Sequence, residues 1–139
     1  MTTRWKMRER VLLVVTVLIV GCGSPIGDLN RAASRLVRAD SATEFNSAAW
    51  RLGDRHVRGR MLAHFASTHA VLGRDYHEVL TLLGPSECYV DYEDEPCYWV
   101  QLNGRPYTLE FGVNHSDRPG LVVSVGLAEQ RVAPRLPRT

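Results

Sequence analysis

Three cysteines, five histidines and a run of carboxylates are the residues of this chain that could do chemistry. Cys88 and Cys97 have no histidine beside them and form no C-x-x-C. That excludes the usual zinc spacings, and a redox-active pair ordinarily sits closer together at a helix start. A structural disulfide is the reading that remains, and it requires an oxidising compartment. Asp91, Glu93, Asp94 and Glu95 lie between the two cysteines. They lack the glycine and the spaced bidentate acid of a calcium loop, so they read as a solvated turn. His56 and His64 flank Arg60 at i, i+4, i+8 and read as a solvated helix face, while His69, His77 and His115 sit beside helix ends or loops. Ser67 and Ser116 lie near histidines without the G-x-S-x-G context of a nucleophile. No phosphate-binding glycine loop is present. The expectation is a non-enzymatic protein with no catalytic residues, no metal site and no cofactor.

The third cysteine is the most informative residue. Arg4, Lys6, Arg8 and Arg10 precede an apolar run over residues 11–20, broken only by Thr16, and Ile19-Val20-Gly21-Cys22 closes it. A basic start, an apolar run and small residues at its end are the layout of a secretory signal peptide. Such a run rises only ~15 Å as a helix, about half of a bilayer core, too short for a permanent span. Gly21, Gly23 and Pro25 then break any helix. The cysteine at the break resembles the lipobox of bacterial lipoproteins, in which this residue is diacylated and becomes the new N-terminus. The resemblance covers residues 1–22, with Ile19 where leucine is commoner; the alternative is an ordinary signal peptide with a chance cysteine. It implies a lipid on Cys22 and insertion of that lipid in a bilayer. Gly23 stands where an aspartate would retain a lipoprotein at the inner membrane. The implied location is therefore the outer membrane, lipid-anchored and facing the periplasm.

Removing the leader changes the charge argument. Of 17 basic and 15 acidic residues, four and one lie in the first 21 positions, leaving 13 and 14 and a net charge of −1. The sequence pI of about 8.6 thus belongs largely to the leader, and bulk charge gives no support for a nucleic-acid partner. The mature length suffices for one domain with one modest core.

The elements that would position these residues follow from periodicity. The chain divides into a leader (1–21), a tether with a candidate amphipathic helix (22–53), an α+β domain (54–128) and a flexible tail (129–139). In the tether, Ile26, Leu29, Ala33, Leu36 and Val37 follow helical spacing, and Arg31, Arg35 and Arg38 would suit a bilayer surface; a tether with only transient helix reads equally well. Val57, Met61 and Phe65, with Leu62 alongside, define a helix from Asp54 to Ser67 with Asp54 as its cap. Asp75 and Glu78 form a capping-box pair for a second helix. Tyr76, Val79, Leu80 and Leu83 are its apolar stripe, and Gly84-Pro85 ends it. From there the period becomes alternating. Cys97–Leu102, the Asn103-Gly104 turn and a second strand through Val113 predict a type I′ hairpin pairing Leu102 with Arg105. Val100 then faces Tyr107 and Tyr98 faces Leu109, so the apolar sides coincide. Leu121, Val123, Val125 and Leu127 define a third strand. The fold class is α+β: two short helices, then a three-stranded antiparallel meander with a small disulfide-closed hairpin. By the chain-entropy model the Cys88–Cys97 closure stabilises by about 2.5–3 kcal/mol.

This order of elements resembles the SmpA/OmlA family of outer-membrane lipoproteins. The similar residues are Arg60-Met61, Leu72-Gly73, Glu78-Val79 and Leu82-Leu83-Gly84-Pro85, then an aromatic strand and a final aliphatic strand. The departures are the adjacent pair Tyr98-Trp99, the two cysteines, and the segment before residue 55. The resemblance implies an α+β fold without catalysis and an accessory, protein-binding role in outer-membrane assembly or maintenance, with barrel-assembly proteins as partners. A periplasmic inhibitor or ligand-binding lipoprotein on the same layout is the alternative.

Trp99 is the candidate contact for such a partner. With Tyr98 and Val100 on the core side, its indole shares the other face with Gln101, Thr108 and Glu110. Either the N-terminal segment covers it, through Phe45 or Trp50, or it anchors a partner.

Overall fold

The computed structural model describes residues 24–40, 43–88 and 95–130. The leader, Cys22, the acidic positions Asp91, Glu93 and Asp94, and the tail from residue 131 lie outside the described residues. The described elements are α1 (Arg31–Asp40), α2 (Ser47–Leu52), α3 (Arg55–Thr68), α4 (Tyr76–Leu83), β1 (Cys97–Leu102), β2 (Arg105–Val113) and β3 (Val122–Glu129). The strands form one antiparallel sheet in the order β1-β2-β3. The fold is α+β, with four described helices where periodicity gave two clear ones.

Short polar side chains start each helix by accepting an otherwise unpaired N–H. Asn30 accepts from Ala33 at 2.9 Å, Asn46 from Ala49 at 2.9 Å, Asp54 from Val57 at 2.9 Å and Asp75 from His77 at 2.8 Å. The reciprocal half of the expected capping box goes elsewhere, because the Glu78 carboxylate pairs with Arg74 at 3.2 Å. Gly84 ends α4 at φ 87°, where its N–H still reaches Leu80 O at 2.9 Å. That φ favours glycine.

In α3 the buried residues are Arg58, Gly59, Met61, Leu62, Phe65 and Ala66, while Val57 is exposed. An i, i+4, i+8 ladder drifts about 40° per step at 100° per residue. Val57 therefore falls on the margin of a face centred on the 58-62-65 side.

The hairpin has the expected register: Leu102 pairs with Arg105, Val100 with Tyr107 and Tyr98 with Leu109. Asn103 and Gly104 both take positive φ, 51° and 74°, as a type I′ turn demands. The third strand departs from simple alternation. Val113 pairs with Val122 and Gly112 with Ser124, which leaves Val123 as the extra residue of a β-bulge. One added residue reverses the facing of everything before it. Val122 is consequently buried and Val123 is 58% exposed, which corrects the expected Leu121 and Val123 facing.

The segment expected as a tether contributes to the core. Leu29, Ala33, Val37 and Trp50 are each no more than 4% exposed and pack in one cluster with Phe65, Tyr98 and Leu109. The packed unit thus reaches back to Ile26, well before residue 54. Asp28 accepts from Val71 N–H at 2.7 Å and Asp40 from Asn103 N–H at 3.0 Å, fixing both ends of α1 to the body.

Candidate functional site

Antiparallel pairing leaves the N–H and C=O groups of Cys97, Trp99 and Gln101 directed away from β2, along the outer edge of the sheet. At Cys97 and Trp99 this edge is closed group by group. Cys97 N–H donates to Ser86 Oγ at 2.9 Å, and Cys97 O accepts from Glu87 N–H at 2.8 Å. Trp99 N–H donates to Glu87 Oε1 at 3.2 Å, and Trp99 O accepts from Arg58 Nη1 at 3.4 Å. Beside Gln101, α3 comes so close that a Cβ on Gly59 would lie 1.9 Å from the Gln101 carbonyl oxygen. A glycine inside a helix costs about 1 kcal/mol relative to alanine, and here the close approach is the reason for it.

The backbone of Trp99 is thereby held while its indole stands on the face opposite the buried Tyr98 and Val100. Arg55 lies over the ring, 4.7 Å from its centroid, and the indole is half-buried. Its cross-strand partner is Thr108, which is buried and bonds Glu110 at 2.8 Å and the Gln130 side chain at 3.1 Å. Phe45 and Trp50 do not cover Trp99. Trp50 is fully buried on the core side, edge-on to Tyr98 with ring centroids 6.4 Å apart. Phe45 packs against Phe65 at 5.0 Å. The expected cover by either residue is replaced by a single arginine.

Arg58 joins the two faces. It is 7% exposed, donates from Nε to Trp50 O at 2.9 Å, pairs with Glu87, and lies 5.5 Å from the Trp50 ring centroid. A buried charge persists only with such partners. Nearby, the Tyr98 hydroxyl donates to Gly84 O at 2.7 Å. Burial first, then the Glu87 carboxylate, raises its pKa above the ordinary phenol value. Cys88 and Cys97 are disulfide-bonded with Cα atoms 5.1 Å apart, so the bridge fixes the start of β1.

The histidines separate into distinct roles. His56 is exposed, whereas His64 is half-buried and its Nδ1 accepts the Phe45 N–H at 2.9 Å. That bond assigns the proton to Nε2 and makes His64 a structural acceptor rather than part of a solvated face. His69 stacks on Phe65 at 5.4 Å, His77 meets Asp75 at 2.6 Å, and His115 approaches Glu95 at 3.5 Å. Among the described residues no three His, Cys, Asp or Glu side chains converge in a metal-binding group. The apolar gap bounded by Leu29, Phe65, Ala66, Leu109 and Val125 is about 10 Å³, the size of one water molecule. Among the described residues no helix is long and apolar enough to cross a membrane.

Arg58, Gly59, Glu87 and Arg55 were not singled out from sequence. The available signal was Gly59, a glycine in the middle of a helical pattern, which marks a close backbone approach. Comparison with protein-family models, curated proteins and solved structures returns no match. The SmpA/OmlA resemblance therefore rests on the residues quoted for it alone.

Proposed function

We propose that this chain is a lipid-anchored, non-enzymatic envelope protein that binds other proteins through the outer face of its sheet in support of outer-membrane assembly or maintenance. The anchor is Cys22, read from the apolar run that precedes it. The observation that carries the binding role is Trp99, an indole on the face opposite the core, half-buried beneath Arg55 from the start of α3, with its own backbone N–H and C=O both bonded. Rigid aromatic anchors with neighbouring arginines are the residue types that dominate protein interfaces. The disulfide-fixed start of β1 suits an oxidising compartment.

The test is a photocrosslinking residue at Gln101, beside Trp99, in the lipidated protein in cells. Adducts with barrel-assembly proteins, lost with Trp99→Ala, are the expected result. One soluble enzyme captured in near-stoichiometric yield would replace this reading with that of an inhibitor lipoprotein. Truncating a hot-spot Trp costs about 2 kcal/mol or more of binding, roughly thirtyfold in affinity.

A further inference from the structure

We propose that the outer face of α1 is a docking surface for an anionic bilayer, with Arg31 and Arg35 directed at lipid phosphates and Arg38 beside them. The inference rests on the reading that Cys22 carries the lipid. Arg31, Arg35 and Arg38 recur at i, i+4, i+7, within an arc of about 60° at 100° per residue. Ala32 and Ala39 border them on one side and the buried Ser34 on the other, and no acidic residue shares the arc. Asp40 lies towards the body, where its carboxylate accepts the Asn103 N–H. All three arginines are exposed. Among the described residues neither Arg31 nor Arg35 takes part in a salt bridge.

The opposite side of α1 is already occupied. Ala33, Ser34 and Val37 are buried in the core, so the helix has no apolar face left to insert between acyl chains. A contact with a membrane must therefore be made through charge at the headgroup level, the mode of polybasic segments, rather than by the amphipathic insertion that the spacing first suggests.

The start of the described chain places the bilayer at this face. Arg38 donates to the Ser24 carbonyl oxygen, so the chain leaves for Cys22 from beside the arginine stripe. Two residues reach at most about 7 Å. Acyl chains on Cys22 would enter the bilayer next to α1, and the positive stripe would meet the phosphates of the same leaflet. Docking there orients the domain with respect to the membrane.

The test uses residues 22–139 with Cys22→Ser, which keeps the whole core cluster, since its members lie between Ile26 and Leu127. Sedimentation with phosphatidylcholine vesicles, with and without phosphatidylserine, reads the partition at low salt. Binding is expected only with phosphatidylserine and is expected to weaken as salt rises. Two surface arginines are worth roughly thirtyfold in partition, so Arg31→Ala/Arg35→Ala should lose about that factor with an unchanged urea midpoint. Equal partition onto both vesicle types, or a double variant that binds like its parent, would overturn the proposal. The Cys22→Ser chain cannot be acylated, so this result is independent of the anchor. Absence of fatty-acid labelling on the wild-type protein would remove the anchor reading alone.

Discussion

Replacing Arg58 with methionine tests whether the closed edge of β1 depends on a buried charge. The substitution keeps most of the stem volume and removes three bonds: to Trp50 O, to Trp99 O and to Glu87. Breaking a buried ion pair costs about 3–5 kcal/mol, largely because the remaining charge is stranded. The Glu87 side chain is 33% exposed, so solvent recovers part of that and the lower end applies. The Trp50 carbonyl, on a fully buried residue, loses a well-formed partner at about 1 kcal/mol. The total is about 3–4 kcal/mol, a large share of the stability of a domain this size. Urea unfolding followed by far-UV circular dichroism should show the midpoint falling by about 2 M, for a slope near 1.5–2 kcal/mol/M. Adding Glu87→Gln should cost much less than it does alone, with a coupling of about 1–3 kcal/mol. Strict additivity, or a loss below about 1 kcal/mol for Arg58→Met, would refute the reasoning.

Three further outcomes are expected. Gly59→Ala gains about 1 kcal/mol of helix propensity but drives a Cβ to 1.9 Å from the Gln101 carbonyl, an overlap worth about 1–3 kcal/mol; calorimetry should show net destabilisation, and a raised midpoint would mean α3 stands off the strand. Cys88→Ala/Cys97→Ala should lose about 2.5–3 kcal/mol by denaturant unfolding, and mass analysis of the unreduced wild type should recover both cysteines in one cross-linked peptide. The Asp75 carboxyl is held below its ordinary value by the His77 backbone N–H that it caps and then by the His77 side chain. Its folded pKa is depressed, so its contribution is complete above the unfolded value near 4 and disappears as pH falls through the lowered folded value. A carboxyl titration by NMR should show the depressed midpoint, and an ordinary midpoint would remove the cap.

The most local features were legible in sequence. Asn103-Gly104 fixes a two-residue turn, and once the turn is fixed the facing of Tyr98, Val100 and Leu102 against β2 has no freedom left. The Asp54 and Asp75 caps are equally local, each needing only a side chain and an N–H two or three residues away. Trp50 and the α1 residues were harder to place. Their helices are short and alanine-rich, and their burial depends on what α3 and the sheet offer them rather than on their own periodicity. Arg58 could not be placed from the periodicity of its own helix, because its compensation comes from Glu87 and from the Trp50 and Trp99 carbonyls, all outside that helix. The bulge at Val123 was hidden for a related reason, since an alternating aliphatic run looks the same whether or not its partner strand skips a residue. At the candidate site the alternation correctly put Trp99 on the outer face, but the residues that hold it, Arg55, Arg58 and Glu87, come from outside the sheet.

Lipid anchoring at Cys22 is the premise of both the proposed function and the docking of α1, and one measurement addresses it directly. Cells producing the full chain are grown with a radiolabelled or clickable fatty acid, and the protein is recovered by a C-terminal tag. Label on the wild-type protein and none on Cys22→Ala is the expected result. A wild-type protein that acquires no label would contradict the anchor.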